Sequence, residues 1–325
     1  MRDHGGNIDE AIARFGGEAA RWIDLSTGIN RQPYPIPSVS QRAWTDLPTH
    51  SARENLSSKA ARAYSTTANV LPVAGAQAAI QLIPRLMTAG TARVLAPTYN
   101  EHAAALRQIG WQVSEVEEIG GLDGASLAVV VNPNNPDGRR YARHDLLALA
   151  DKVGLLVVDE SFADLSPELS LAPFADRSGL LVLRSFGKFY GLAGLRLGFV
   201  IGASDRLSAL HEMAGPWSVS GVALEIGQRA LDDDAWRSQT TERLQREAER
   251  LDRLAYRAGW ELVGGTALFR TYVTSNAAKS RDGLASHQIW TRIFPYSESW
   301  LRLALPGSDI EWQRLEAALD VKPSD

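Results

Sequence analysis

The chain has 325 residues, of which 45% are hydrophobic and 22% are charged, and its formal net charge is −4. These values are ordinary for a folded globular protein, and they give no reason to expect a nucleic-acid partner. Cysteine is absent, which excludes disulfides and thiolate chemistry and suits a reducing compartment. The longest apolar runs are about eight residues, far short of the roughly twenty that a membrane span needs. No basic leader followed by an apolar stretch opens the chain, so we expect a cytoplasmic protein without a membrane partner.

The N-terminal segment, residues 1–47, is polar and rich in glycine and proline. It contains the sequence His4-Gly5-Gly6-Asn7 and, further along, Asp24-Leu25-Ser26. Prolines at positions 33, 35 and 37 exclude regular structure in the stretch that follows. Because such a segment cannot form its own core, we expect it to pack against the small domain or to reach a partner subunit.

Residues 48–217 alternate between helical and strand-like patterns, which predicts the large domain of an α/β protein. A helix is predicted over 51–64, and Gly75 stands just before another helix that begins at Ala76, in which Pro84 should introduce a kink. Continuous apolar strands separated by helices indicate a mainly parallel sheet covered on both faces, and hence three layers. The predicted strands are 93–96, 127–131, 155–158, 180–183 and 197–201, and the other predicted helices are 101–109 and 144–153.

The rest of the chain predicts connecting helices followed by a small α+β domain. Helical patterns over 219–231 and 238–258 fall within a connecting region, 218–258, and the small domain takes residues 259–325. Strands are predicted over 268–273 and 300–305. The sequence Ser308-Asp309-Ile310-Glu311 has the pattern of a capping box at the start of the final helix.

Several polar side chains directly follow the predicted strands of the large domain. Tyr99, Asn135 and Asp159 each stand just past a strand, as does the stretch Ser185–Arg196, which contains Lys188. In open α/β sheets, ligands bind beyond the carboxyl ends of the strands. A lysine amine can form a Schiff base with an aldehyde cofactor, and a hydroxyl and a guanidinium can bind a phosphate. Taken alone, S-x-x-K is also what a surface lysine in a glycine-rich loop would show.

The order of these motifs resembles that of the fold type I aminotransferase superfamily, close to its histidinol-phosphate aminotransferase branch. The motifs are Gly75-Ala76-Gln77, Pro97-Thr98-Tyr99, Asn132-Pro133-Asn134-Asn135-Pro136, Asp159-Glu160 and S-x-x-K-x₇-R from Ser185 to Arg196. The resemblance covers nearly the whole chain. It implies a pyridoxal 5′-phosphate enzyme with a large domain built on a mainly parallel sheet, a small α+β domain, and a homodimer with shared active sites.

The resemblance gives a role to each candidate residue of the large domain. Lys188 would be the Schiff-base lysine, and Asp159 would pair with the pyridine nitrogen of the cofactor. Asn135 would bond the ring 3-oxygen, and Tyr99 would stack on the ring. The residues that would hold the cofactor phosphate are Ser185, Arg196, Ala76 and Gln77 through their backbone amides, and, from the other subunit, Tyr64.

The N-terminal motifs resemble a narrower group, the threonine-phosphate decarboxylases of cobalamin biosynthesis. The substrate-binding residues that this resemblance implies are His4, Gly5 and Arg292 for a phosphate, Arg302 for a carboxylate, and also Gly28 and Asn135. Two positions depart from the pattern of these enzymes. Gly28 stands where some relatives have asparagine, and Arg31 replaces the usual proline after Asn30.

The implied reaction is decarboxylation of O-phospho-L-threonine, a small phosphorylated amino acid, to (R)-1-amino-2-propanol phosphate. The alternative is an aminotransferase acting on histidinol phosphate or a related phosphorylated amine, because sequence fixes the chemical groups but not which Cα bond is broken. A third hypothesis, a catalytically silent binding subunit, is disfavoured because every candidate cofactor residue is retained. The sequence leaves open whether phosphothreonine or phosphoserine is preferred.

No metal site is expected from the sequence. The histidines other than His4 stand at positions 50, 102, 144, 211 and 287 and show no metal-ligand spacing. We interpret these five residues as surface or helix-cap residues.

Overall fold

The computed structural model describes residues 4–320, and these residues form two compact units. The first unit takes in the described residues up to Pro33, then Pro136–Gly138, and then those from Ser238 onward. The second unit consists of Tyr34–Asn135 and Arg139–Arg237. None of the helices formed by residues 4–320 is long and apolar enough to cross a membrane.

Residues 4–320 form thirteen strands and twelve α-helices, numbered in chain order. The strands are β1 (Ile23–Asp24), β2 (Asn69–Val73), β3 (Thr91–Leu95), β4 (Gln112–Val116), β5 (Leu127–Val131), β6 (Leu156–Asp159), β7 (Leu180–Ser185), β8 (Gly198–Gly202), β9 (Glu261–Thr266), β10 (Phe269–Val273), β11 (Ile289–Trp290), β12 (Arg292–Phe294) and β13 (Ser297–Ala304). The helices are α1 (Ile8–Phe15), α2 (Gln41–Thr45), α3 (His50–Ala63), α4 (Ala76–Leu82), α5 (Glu101–Gln108), α6 (Arg143–Ala150), α7 (Phe186–Phe189), α8 (Ser204–Ala214), α9 (Gly221–Asp232), α10 (Asp234–Arg257), α11 (Ala277–Ser286) and α12 (Asp309–Asp320).

The second unit is built on a seven-stranded sheet with the order β2-β8-β7-β6-β5-β3-β4. The five strands β4, β3, β5, β6 and β7 are parallel to one another, whereas β8 is antiparallel to both β7 and β2. All five residues of β5 are at most 3% exposed. Because alternate residues of a strand point to opposite faces, both faces of the sheet are covered at this strand. The predicted α/β class with a mainly parallel sheet is confirmed.

The predicted strands of this unit agree with the observed ones to within two residues, and the run 127–131 coincides with β5. The sequence analysis did not predict β4. This strand pairs only with β3 at the edge of the sheet, and none of its residues is buried. An edge strand needs no continuous apolar run, so the pattern that identifies the central strands is missing there.

The prediction that Pro84 kinks a helix is wrong. Helix α4 ends at Leu82, and Pro84 lies in a separate 3₁₀ turn, Ile83–Arg85. Proline has no N–H to continue the helical ladder, and its ring clashes with the preceding turn. The Pro84 carbonyl instead accepts a hydrogen bond of 3.0 Å from the indole of Trp111. The proline therefore ends the helix and fixes the chain that follows it.

The first unit has the α+β character that the sequence predicts. Its four-stranded antiparallel sheet has the order β12-β13-β10-β9, and the short strand β1 pairs in parallel with β11. Through β1, the N-terminal segment is part of this unit's hydrogen-bonded structure. Helix α1 adds Ala11 to a buried cluster with Trp22, Ala285 and Trp290.

Arg31, one of the two departures noted in the sequence, has a structural explanation. Its guanidinium forms a bidentate salt bridge with the carboxylate of Glu311 and also donates a hydrogen bond to the Asp24 carbonyl at 3.2 Å. Glu311 also accepts a bond of 2.6 Å from the Gly307 amide. Burial raises the pKa of Glu311, but the bonds from Arg31 and Gly307 outweigh burial and lower it. Arg31 thus fastens the N-terminal segment to helix α12.

Candidate active site

A cavity in the second unit brings together eight of the nine residues predicted to bind the cofactor. Its lining includes Ala76, Gln77, Tyr99, Asn135, Asp159, Ser185, Lys188 and Arg196. These residues come from segments that lie far apart in the sequence and meet where strands β5, β6 and β7 end. The cavity therefore stands at the position where open α/β sheets bind ligands.

Lys188 is placed by an abrupt change from strand to helix. Strand β7 ends at Ser185, and α7 begins at the next residue. One helical turn therefore separates the serine from the lysine, and both line the cavity. The Lys188 ammonium lies 5.6 Å from the centre of the Phe162 ring. Gly187 is required beside it, because a Cβ at this position would come within 2.8 Å of the Ala193 backbone.

Asp159 ends strand β6 and is only 3% exposed. Its carboxylate accepts bonds from the Ser161 amide at 2.9 Å and the Ser161 hydroxyl at 2.5 Å, and its other oxygen lies 2.8 Å from Nε2 of His102. Burial raises the pKa of Asp159, but His102 and Ser161 outweigh burial and hold this pKa below its usual value. Asp159 is therefore a fixed negative charge that can pair with a protonated ring nitrogen.

His102 is the functional residue that the sequence analysis missed. The interpretation as a surface or helix-cap residue is wrong for it, because His102 is 4% exposed and bonds Asp159. Since an ionised carboxylate only accepts, the histidine Nε2 is the donor. One signal in the sequence points to it. His102 stands four residues before Leu106, on the buried side of helix α5, where a polar residue needs a buried partner.

The phosphate end of the cavity is formed by Arg196 and the first turn of α4. A Cβ on Gly75 would lie 2.6 Å from the Arg196 guanidinium, and a Cβ on Gly198 would lie 2.5 Å from the Ala76 amide. Only glycine allows these groups to come so close. Helix α4 begins without a side-chain cap. Its first amides and the guanidinium therefore form a positively charged pocket that suits a phosphate.

Tyr99 is oriented by a chain of hydrogen bonds. Its hydroxyl donates to the Gln77 side-chain carbonyl at 3.1 Å, and the Gln77 amide nitrogen donates to the Glu101 carboxylate at 3.0 Å. Glu101 is buried. These bonds fix the plane of the Tyr99 ring, as stacking on a flat ligand requires. The side chain of Gln77 thus supports the aromatic residue, while its backbone amide remains the group predicted to meet the phosphate.

Tyr64, predicted to act from the other subunit, is the one predicted cofactor residue that does not line the cavity of its own chain. It is 8% exposed and packs within its own unit, 5.7 Å from the Phe199 ring centre. The Arg184 guanidinium stacks over it at 4.4 Å and is held by Glu160 at 3.1 Å and Asp164 at 2.8 Å. Burial, reinforced by Asp164, raises the pKa of Tyr64. Within its own chain, Tyr64 therefore packs in a buried charge cluster, and its contact with the cofactor phosphate of a second subunit stays a prediction.

The residues predicted to bind substrate anions all belong to the first unit. Arg292 on β12 and Arg302 on β13 are directly opposite each other across the two strands. Arg302 is 6% exposed and donates to the Ser26 carbonyl at 2.6 Å. Burial and the neighbouring Arg292 charge lower the pKa of Arg302 to about 10.

The N-terminal members of this set lie along the same segment. The Gly6 amide donates to the Ser26 hydroxyl at 2.7 Å, and a Cβ on Gly5 would lie 2.3 Å from the Ser26 carbonyl oxygen, so both glycines lie beside that serine. His4 is exposed, and Gly28 is buried two residues after Ser26. Asn135, also predicted to bind substrate, lines the cavity of the second unit. No group of three or more histidine, aspartate or glutamate side chains within residues 4–320 is arranged to hold a metal ion.

Comparison with known proteins identifies the family. The model of the aminotransferase class I and II family matches residues 40–319, and the chain therefore belongs to this family. Over 98% of its length the chain is 45% identical to a threonine-phosphate decarboxylase of Pseudomonas aeruginosa, covering 97% of that protein. A threonine-phosphate decarboxylase of a Sinorhizobium species is 43% identical, with 97% of each chain covered. The resemblance predicted from the motifs is confirmed.

Solved structures agree on the fold. The histidinol-phosphate aminotransferase of Sinorhizobium meliloti, determined in complex with pyridoxal 5′-phosphate, superimposes with a TM-score of 0.82 at 20% identity, covering 98% of this chain and 94% of that one. The L-threonine-O-3-phosphate decarboxylase of Porphyromonas gingivalis gives a TM-score of 0.73 at 21% identity, with 92% and 98% covered. At these identities the likeness establishes the fold type I architecture.

Replacing His102 with leucine should destabilise the protein and raise the pKa of Asp159, because the buried carboxylate loses a hydrogen-bond donor. Removing one partner of a buried pair costs about 3–5 kcal/mol, so we expect a loss of about 3 kcal/mol in the free energy of unfolding measured in urea. His144→Leu is the control, since His144 is exposed and should change stability by less than about 0.5 kcal/mol. Equal stability of His102→Leu and His144→Leu would contradict the assignment of His102 as the buried hydrogen-bond donor to Asp159.

Proposed function

We propose that this member of the aminotransferase class I and II family is a pyridoxal 5′-phosphate-dependent decarboxylase of O-phospho-L-threonine. Its products would be CO₂ and (R)-1-amino-2-propanol phosphate, a building block of cobalamin biosynthesis. Near full-length identity of 43–45% to two threonine-phosphate decarboxylases supports this proposal. The single observation in the structure that favours it most is the facing pair of Arg292 and Arg302.

The arginine pair favours a substrate with two anionic groups. Like charges directly opposite each other on neighbouring strands destabilise a sheet, and here one of them is buried and has its pKa lowered to about 10. Such a pair is stabilised when an anion binds between or beside its members. O-phospho-L-threonine carries a phosphate and a carboxylate a few bonds apart. In this proposal, Arg302 binds the carboxylate and Arg292 binds the phosphate.

The cavity of the second unit fits pyridoxal 5′-phosphate. Lys188 supplies the amine for the aldehyde, Asp159 the carboxylate for the ring nitrogen, and Arg196 with the Ala76 amide the pocket for the phosphate. The close approach of Arg196 to Gly75, which a single Cβ would block, supports this fit. When bound, the cofactor accepts the electron pair released as a bond to the substrate Cα breaks.

The residues of this chain then decide which bond breaks and where protons go. Asp159, kept ionised by His102, holds a proton on the ring nitrogen and so keeps the ring electron-accepting. Arg302 and Arg292 would bind the two anions of the substrate and so restrict its orientation. The Lys188 amine, which lines the same cavity, would be the group that returns a proton to the substrate Cα.

An aminotransferase acting on histidinol phosphate is the second candidate. The family model and the fold of a histidinol-phosphate aminotransferase favour this reaction class. Both candidates use the same cofactor residues and a phosphorylated amine. They differ in that an aminotransferase needs an oxo-acid to complete its cycle, whereas a decarboxylase does not.

The test is to supply cofactor-loaded protein with O-phospho-L-threonine and no oxo-acid. We expect catalytic release of CO₂, and Lys188→Ala should slow it by about a thousandfold, in the range by which positioned acid–base groups contribute. Lys152→Ala is the matched control, since Lys152 is an exposed lysine paired with Asp123. Turnover that appears only with 2-oxoglutarate and histidinol phosphate would contradict the decarboxylase and support the second candidate.

We also infer that the chain acts as a homodimer. In the second unit, four large apolar side chains are more than half exposed: Ile36 at 70%, Trp44 at 71%, Leu47 at 64% and Trp217 at 57%. Three of them lie within one short stretch, and Trp217 shares a surface hollow with Pro48 and Thr49, which directly follow that stretch. Concentrated apolar exposure of this kind is typical of a surface that binds another protein. The partner that the family resemblance implies is a second copy of this chain.

Trp44→Asp should therefore convert the protein to a monomer, because a charge at the centre of an apolar interface is costly to bury. Light scattering should give the mass of two 35.4 kDa chains for the wild type and of one chain for the variant. Tyr256→Asp, at an 81% exposed aromatic residue of α10, should leave the mass unchanged. A wild-type protein with the mass of one chain would refute the dimer.

A further inference from the structure

The turn His4-Gly5-Gly6-Asn7 is built for close contact with Ser26. A Cβ on Gly5 would lie 2.3 Å from the Ser26 carbonyl oxygen, so only glycine fits there. Gly6 has a φ of +88°, a conformation that favours glycine, and its amide donates to the Ser26 hydroxyl. Asn7 caps helix α1 by accepting from the Glu10 amide. Three of the four residues thus have a structural task, and they leave His4 exposed at the end of the turn.

Ser26 connects this turn to the arginine pair through two different atoms. Its hydroxyl donates to the Asp24 carboxylate at 2.5 Å and accepts from the Gly6 amide at 2.7 Å. Its backbone carbonyl accepts from Arg302 at 2.6 Å. Because an ionised carboxylate only accepts, Asp24 fixes the direction of the hydroxyl proton and leaves a lone pair for Gly6. Ser26 is 1% exposed, so these bonds are made away from water.

The other end of the turn is anchored independently. Helix α1 packs through Ala11 against Trp22 and Trp290, and its Arg14 pairs with Asp282 at 2.7 Å. The helix therefore stays in place when a contact of the turn is lost. The Ser26 hydroxyl holds the residues before the helix through its bond with the Gly6 amide, and its removal should release the turn alone.

We propose that Ser26 is a positioning residue for substrate selection. Its hydroxyl holds the turn beside Arg302, so that the His4 imidazole joins the arginine pair and strengthens the preference for an amino acid with a side-chain phosphate over its unphosphorylated form. The identity of the substrate in this inference rests on the proposed function. The inference that the Ser26 hydroxyl holds the turn in place does not depend on the proposed function.

The two contacts of Ser26 can be separated by one substitution. Ser26→Ala removes the bond to Gly6 but keeps the backbone carbonyl that holds Arg302. Carboxylate binding should therefore persist while phosphate selection weakens. Ser286→Ala is the matched control, because it deletes another serine hydroxyl of the same unit, one that only bonds the Gly283 carbonyl at 2.7 Å.

The first experiment follows hydrogen exchange of the full-length, cofactor-loaded protein without substrate. Ser26→Ala should speed exchange in peptides that cover Gly5–Asn7 by tenfold or more and leave peptides of helix α1 unchanged. Ser286→Ala should match the wild type. Unchanged exchange at Gly5–Asn7 in Ser26→Ala would overturn the proposal at its first step, whether or not the protein is a decarboxylase.

The second experiment compares kcat/KM for O-phospho-L-threonine and L-threonine. We expect Ser26→Ala to lower the ratio about tenfold through KM for the phosphorylated substrate, with His4→Ala lowering it equally. The double variant should be no worse than either single one, because both changes act through the same turn. Additive losses, or an unchanged ratio, would overturn the role of Ser26.

If the wild type turns over neither substrate, the proposed function fails while the positioning role is still tested. In that case O-phospho-L-threonine is used only as a binding probe in the exchange measurement. It should slow exchange at Gly5–Asn7 in the wild type and not in Ser26→Ala. Equal slowing of exchange in the wild type and in Ser26→Ala would contradict the positioning role of Ser26.

Discussion

Two arginines that face each other across β12 and β13 impose a constraint on the first unit. Arg302 is buried, and the unit offsets the cost of its charge with specific contacts. The Ser26 carbonyl accepts from its guanidinium at 2.6 Å, and the rings of Phe269 and Phe294 lie 5.3 and 5.9 Å from it. The short strand β1 places Ser26 by pairing with β11, and Arg31 fastens the chain that follows to α12. The N-terminal segment therefore helps to hold the buried Arg302 in place.

The second unit places opposite charges at two ends of one cavity. A negative charge is held at Asp159, where His102 and Ser161 keep the carboxylate ionised in spite of burial. Positive charge is held at Arg196 beside the first turn of α4, in a space kept open by Gly75. A flat ligand with a basic ring nitrogen and a phosphate matches this polarity. The charge pattern, more than any single motif, explains why the cavity suits pyridoxal 5′-phosphate.

Much of this could be predicted from the sequence, and the exceptions share a cause. The five apolar residues of β5 identify a buried strand by themselves, and the spacing of Ser185, Lys188 and Arg196 places three groups of the cavity. His102 could not be assigned in this way, because its partner lies far along the chain: Asp159 is 57 residues from His102. The antiparallel direction of β8 likewise depends on how the chain turns after α7, which apolar periodicity does not encode.

The most direct test of the account is the affinity of the arginine pair for a substrate with two anions. Calorimetry on cofactor-loaded Lys188→Ala protein, which should bind without turnover, would compare O-phospho-L-threonine with L-threonine. Charge-assisted hydrogen bonds contribute about 1.5–3 kcal/mol, so Arg292→Met should weaken binding of the phosphorylated ligand about tenfold or more and leave L-threonine unaffected. Arg257→Met, at an exposed arginine of α10, should change neither affinity. Equal weakening of both ligands, or no weakening in Arg292→Met, would contradict the central claim that this pair recognises two anions.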